Sequence, residues 1–221
     1  MLDIFDILGP VMVGPSSSHT AGAVRIGRMA RTLLGAQPVK AEIGLHGSFA
    51  ETGQGHGTDR ALVAGLLGMH PDDLNIPRSF EIAAEKGLEF TFKTIQLRDA
   101  HPNTAVLAVE DANGKKLTVQ AVSTGGGRIR VDKINGVDVN FTGAYNTLVV
   151  RHQDVAGELN RITNELVASN VNIANMSLFR SRRGGDVLTV IEMDEKLMPE
   201  VRERIRQIYA VNDVTYYEKE D

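Results

Sequence analysis

The sequence contains no cysteine and no tryptophan. Without thiols the chain forms no disulfide, carries no thiol nucleophile and cannot ligate an iron–sulfur cluster through thiolates of its own. Aromatic residues make up only 5% of its 221 residues, too few for the base-stacking platforms of single-strand binders. The net charge is −4 and no basic block interrupts it, which also argues against nucleic acid as a partner. No apolar run is long enough to cross a bilayer, so no membrane association is expected. The opening stretch MLDIFDILGPVMV is broken by Asp3 and Asp6 and has no basic segment ahead of it, so it does not read as a signal peptide. The expectation is a cytoplasmic protein. At 42% hydrophobic and 24% charged, the chain can build one large core or two small ones.

Polar chemistry concentrates in two loops. The first, GPSSSHTAGAVRIGRMARTLL, sets Ser16, Ser17, Ser18, His19 and Thr20 directly ahead of an apolar stripe at Ile26, Met29, Ala30, Leu33 and Leu34. That spacing is one face of a helix, and Gly35 is its expected stop. A serine before a helix commonly caps a backbone N–H, but a cap accounts for one or two of these side chains and not for five. An anion site at the helix start and a catalytic His19 both remain open. The second loop, LHGSFAETGQGHGTDRA, holds His46, Ser48, Thr52, His56, Thr58 and Asp59 among four glycines. It follows an alternating strand, Val39 to Leu45, and precedes a second helix with Leu62, Gly65, Leu66 and Met69 on one face, which Thr58 is expected to cap. It lacks the Gly-Lys-Ser/Thr of a P-loop, and no G-x-S-x-G elbow occurs in the first. His70 and His101 each precede a proline or stand next to one in a turn, with no ligand partner at helical spacing, so neither is expected to bind metal.

From Ser79 onward the hydrophobic period is expected to shift toward two. Asn113-Gly114 and Asn135-Gly136 mark hairpins, and Ser123 to Ile129, STGGGRI, reads as a hairpin end. Helices first and hairpins after indicate an α+β domain over residues 1–144. Residues 145–221 read as strand, helix, strand, strand, helix, strand, the ferredoxin-like βαββαβ order of a separate domain.

The two loops, in this order, resemble the beta chain of the iron–sulfur-dependent, two-subunit bacterial L-serine dehydratases, and the resemblance runs over the whole length. VVRHQDVAGELNRITNELVASNVNIANMSLFRSRRGGDVLTVIEM resembles an ACT domain. The resemblance implies an N-terminal domain of the allosteric substrate-binding kind and a role in serine catabolism. It implies a cysteine-bearing alpha chain that ligates a [4Fe-4S] cluster, and conversion of L-serine to pyruvate and ammonium. In that family His19 matches the base for the Cα proton and His56 a second pocket histidine. Ser17, Ser18 and Thr20 match donors to the substrate, and homodimerisation is expected through the ACT domain. Gly157, Asn172 and Ile173 match an effector site formed across that dimer, with Ala156 standing where many ACT domains carry proline. A non-catalytic amino-acid sensor, such as the related regulatory tail of some phosphoglycerate dehydrogenases, is the alternative. A hydrolase using Ser18 and His19 is a weaker one, because adjacent side chains point in different directions.

Overall fold

A computed structural model describes residues 12–14, 16–53, 55–180 and 182–219. The signal-peptide reading of the first residues, and Pro15 in the first loop, lie outside them. The chain forms two compact units, Met1–Gly136 and Val137–Asp221.

In the first unit a single π-helical turn, Ser17–Ala21, runs straight into α1 (Gly22–Leu34). All five residues of the anticipated stripe are buried. Gly35 ends the helix in the left-handed region at φ 83°, and its N–H closes on the Arg31 and Thr32 carbonyls. The flanking arginines are half-buried and spend their guanidinium groups on turns: Arg25 on the Gly127 carbonyl at 2.8 Å, Arg28 on the Gly68 carbonyl at 2.6 Å. There follow β1 (Pro38–Leu45), the one-turn α2 (Ser48–Thr52), α3 (Thr58–Leu66), a 3₁₀ turn at Ile76–Arg78, α4 (Ser79–Glu85) and β2 (Glu89–Thr94). Next come β3 (Thr104–Asp111), β4 (Lys116–Gly125) and β5 (Arg128–Ile134).

The strand order is β2-β1-β3-β4-β5. β1 and β2 are parallel, joined through the helices, and the remaining pairs are antiparallel. One face is apolar, with Ile43, Leu107, Val119 and Val131 buried. On the other, the row Glu89, Lys40, Glu110, Lys116 alternates in sign across neighbouring strands. Matched charges of this kind hold a solvated sheet face in register. A groove along this face, lined by Lys40, Glu42, Glu89, Glu110 and Lys116, contains none of the loop histidines.

Two expectations need correction. Ser79 to Glu85 is helical rather than strand-like, because Ser79 and Ala83 fall on one buried face and the Phe80 ring stacks 4.9 Å from that of Phe90. Thr58 does not cap α3. Gly57, at φ 70°, is the cap residue, and Thr58 is already the first helical position, its N–H bonded to the Gly53 carbonyl at 2.8 Å.

α1 and α3 cross where both are glycine. A Cβ on Gly27 would sit 2.3 Å from the Leu62 carbonyl oxygen, and one on Gly65 would sit 2.1 Å from the Val24 carbonyl oxygen. Backbone thus touches backbone, with no room for a methyl group.

The second unit begins with β6 (Val137–Phe141) and continues as β7 (Asn146–Gln153), α5 (Glu158–Ala168), β8 (Ile173–Arg180), β9 (Asp186–Met193), α6 (Pro199–Arg206) and β10 (Val211–Tyr217). The order β10-β7-β9-β8, antiparallel throughout, is the ferredoxin-like arrangement expected from the sequence. Its core joins Leu148, Ile162, Leu166, Ile191, Val201 and Ile205. β8 is an edge strand with Met176 and Leu178 each 42% exposed.

The helix crossing makes a direct prediction. Gly65→Ala should lower the urea midpoint by an amount equivalent to about 1–3 kcal/mol, the usual cost of forcing an extra carbon into a packed contact. An unchanged midpoint would show that the crossing is looser than described.

Candidate active site

The first loop is built around its own cap. Ser16 has extended dihedrals, and its Oγ accepts from the His19 N–H at 3.2 Å. The Thr20 N–H bonds to the Ser16 carbonyl at 2.8 Å, and the Gly22 N–H to the Ser17 carbonyl. This wide π-helical start turns His19 and Thr20 inward, where they are 8% and 3% exposed. Ser17 and Ser18 remain half-buried.

The second loop brings its residues to the same place. Gly47 adopts φ 54°, ψ −127°, a conformation that favours glycine, and a Cβ there would meet the Pro102 backbone at 2.8 Å. That turn aims Ser48 and Phe49 at His19. His19 Nε2 lies 3.1 Å from Ser48 Oγ. Its other nitrogen, Nδ1, lies 3.0 Å from Ser18 Oγ and 3.3 Å from Ser16 Oγ. The fully buried Phe49 meets the imidazole edge-on with ring centroids 5.3 Å apart. The His56 ring, exposed, stands at 5.1 Å and nearly perpendicular.

The expected residues therefore divide. His19, His56 and Ser18 come together, and Ser17 and Thr20 belong to the same turn. His46 does not join them. Its Nδ1 accepts from the Leu97 N–H at 3.3 Å and pins the segment after β2. Ser48 entered the sequence reading only as one polar loop residue, and its pairing across 29 positions leaves no local signal. Three hydroxyls are buried without a partner among the described residues: Thr20 and Thr58 on the two loops, and Ser123 on β4, packed against Gly22. Among the described residues no three His, Cys, Asp or Glu side chains gather as a metal site.

Burial is the main cause that holds the His19 pKa below the usual 6.5, and the nearby His56 adds to it, while a hydrogen bond with the Ser48 backbone works in the opposite direction. His19 is therefore a neutral imidazole at pH 7, with a lone pair available to take a proton.

In the second unit, Gly157 adopts φ 85° at the cap of α5, while Asn172 and Ile173 stand past the helix's other end. The 11 residues of α5 separate them by about 16 Å within one copy. Asn172 is engaged by acidic neighbours, its N–H on Glu195 and its side-chain amide on Asp194, both at 2.7 Å. Beside Gly157, the buried Glu158 holds Arg161 at 2.7 Å through one oxygen, and the other has no partner among the described residues.

Residues 1–134 match the family described as Serine dehydratase beta chain, and residues 146–208 match the ACT domain. The chain is 38% identical over 212 residues to the probable L-serine dehydratase, beta chain, of Bacillus subtilis, with 96% of each chain covered. It is 37% identical over 215 residues to the L-serine dehydratase, beta chain, of Peptoniphilus asaccharolyticus, with 97% of each covered. It is 27% identical over 199 residues to the D-3-phosphoglycerate dehydrogenase of Archaeoglobus fulgidus, covering 89% of this chain and 37% of that protein.

The His19 environment predicts its titration. The unfolded chain protonates this histidine near 6.5 and the folded chain only at lower pH. Its contribution to stability is thus complete above 6.5 and drains away as the pH falls toward the folded value. An NMR titration should place the folded midpoint below 6.5, and His56→Ala should raise it part of the way back. A midpoint at or above the unfolded value would contradict the burial argument.

Proposed function

The chain belongs to the serine dehydratase beta chain family and carries an ACT domain, and we propose that it supplies the imidazole and hydroxyl groups of a composite L-serine dehydratase site completed by an alpha chain. The observation that carries this reading is the meeting of the two polar loops at His19, which Ser48 and Ser18 flank at 3.1 and 3.0 Å.

His19 takes the Cα proton of serine. Its neutral form is favoured by burial, and general-base help of this kind is worth about 10²–10⁴-fold. Ser17, Ser18 and Thr20 hold the substrate's polar groups, and the Thr20 hydroxyl has no acceptor among the described residues to compete with them. His56 is the exposed second imidazole of the pocket. Loss of water from serine leaves an aminoacrylate, which tautomerises and hydrolyses to pyruvate and ammonium.

A [4Fe-4S] cluster does not fit this chain as a resident group. It has no cysteine, and no alternative ligand cluster occurs among the described residues. We therefore assign the cluster to the alpha chain, where an iron would act as Lewis acid on the departing hydroxyl. We propose a cytoplasmic complex; among the described residues no helix is long and apolar enough to cross a membrane. Pairing of two ACT units is favoured by the exposed Met176 and Leu178 on edge strand β8, and the effector site at Gly157, Asn172 and Ile173 would form between the copies.

The similarity to a D-3-phosphoglycerate dehydrogenase over 89% of the chain favours a second reading, a serine sensor without catalysis. Anaerobic reconstitution with the alpha chain separates the two. His19→Ala should leave assembly and cluster absorbance intact and lower kcat by about 10²–10⁴-fold. Wild-type turnover in that variant would end the base assignment, whereas tight serine binding by the isolated chain at both units would favour the sensor.

A further inference from the structure

The first sheet ends in an open edge. β2 (Glu89–Thr94) pairs with β1 on one side, and among the described residues no strand pairs with the other. Such an edge is a template for a further strand unless its side chains forbid one. Along a strand, the backbone N–H and C=O of successive residues point to opposite sides. Just past β2, the Ile95 N–H donates to the Leu45 carbonyl of β1 at 2.9 Å. The odd-numbered residues therefore face β1, and Phe90, Phe92 and Thr94 turn their backbone groups outward. The side chains alternate as well. Glu89, Thr91 and Lys93 are exposed on the outer face of the sheet, while Phe90 and Phe92 are half-buried on the other. These two rings stand 5.8 Å apart and join Phe80 of α4, at 4.9 and 6.2 Å between centroids. Half-buried rings thus line the open edge.

The run Glu89-Phe90-Thr91-Phe92-Lys93 is complementary to its own reverse. We propose that β2 pairs antiparallel with β2 of a second copy of this chain about a two-fold axis at Thr91, joining the two first-unit sheets edge to edge. In an antiparallel ladder the residues that exchange both hydrogen bonds stand opposite each other, so outward residues must meet outward residues. This condition admits registers centred on Phe90, Thr91, Phe92 or Lys93. Only the register centred on Thr91 sets Glu89 against Lys93 and Phe90 against Phe92. Phe90 of each copy then exchanges both N–H···O=C bonds with Phe92 of the other. The register centred on Lys93 brings like charges together, which is destabilising, whereas facing aromatic and opposite-charge pairs stabilise a ladder. The charges also continue a pattern present within one copy. The row Lys116, Glu110, Lys40, Glu89 alternates in sign, and Lys93 of the second copy is its next member. In its own chain Lys93 bonds Glu42, so its ammonium would lie between two carboxylates. The contact is isologous and closes as a pair. It depends neither on His19 being the base nor on pairing by the ACT unit.

Sedimentation velocity and residue-level amide exchange on the full chain test this pairing. Wild type should self-associate as its concentration rises, and the Phe90 and Phe92 amides should become protected in step. Free exchange of both amides at every concentration overturns the proposal. Glu89→Lys and Lys93→Glu each set like charges together across the axis, and each should weaken this association by about tenfold. An ACT contact is untouched by these reversals, so the step they remove is the one at this edge. The double variant Glu89→Lys/Lys93→Glu, and an equimolar mixture of the two single variants, restore opposite charges in this register alone. Both should recover the association and the protection. The mixture repairs nothing within either chain, so its recovery reports contact between chains. Undiminished association in the single variants, or no recovery in the mixture when circular dichroism shows both variants folded, overturns the proposal. Protection of Phe90 and Phe92 that the reversals leave unmoved would mean that the chain covers its own edge. Protection that appears only with the alpha chain would assign the edge to that chain. Either result excludes the second copy as the occupant.

Discussion

Backbone contact between two glycines governs the first unit. Because Gly27 and Gly65 have no side chains, α1 and α3 approach until carbonyl oxygens occupy the space a methyl group would need. The helices begin in different loops, one carrying His19 and the other following His56. Close packing of the helices brings those loops together, so that two rings 37 positions apart in sequence stand with centroids 5.1 Å apart. A wider crossing would part the loops and expose His19, and the neutral state of its imidazole would go with it. The Gly47 turn is the second fixed point. It brings Ser48 and Phe49 to the buried ring, and the Pro102 backbone leaves no room for a side chain at 47.

The polar groups are then divided by burial. His19 is sheltered and its pKa falls; His56 stands open to solvent beside it. Serine hydroxyls flank the sheltered ring on both edges. Such a site can accept a proton, but among the described residues no cluster of metal ligands stands beside it to hold a Lewis acid for a departing hydroxyl. That need for a complementary acid is the physical reason for a second chain in the account. The outer face of the sheet, by contrast, is neutralised row by row, as at Glu110 and Lys116, 3.6 Å apart, and offers no comparable chemistry.

Much of this was legible in the residues. The apolar stripe from Ile26 to Leu34, its stop at Gly35, the hairpin at Asn113-Gly114 and the βαββαβ order all follow from local periodicity and turn chemistry, and each stands as expected. The failures have local causes too. Seven residues at Ser79–Glu85 are too few to establish a helical period against a following strand. At Gly57-Thr58 either residue could cap, and only the dihedrals decide. The site was legible as two polar loops but not as a geometry. That Ser48 meets Nε2, that His46 turns away to hold Leu97, and that Gly27 meets Gly65 are tertiary facts with no signature in sequence spacing.

The central claim is that both loops face the alpha chain. Hydrogen–deuterium exchange of the full chain, alone and after anaerobic assembly with the alpha chain, tests it most directly. The account predicts new protection in peptides covering the Ser16–Thr20 turn and the Gly47–Thr58 loop together. Protection confined to the outer sheet face or to the ACT unit, with both loops exchanging as before, would contradict it.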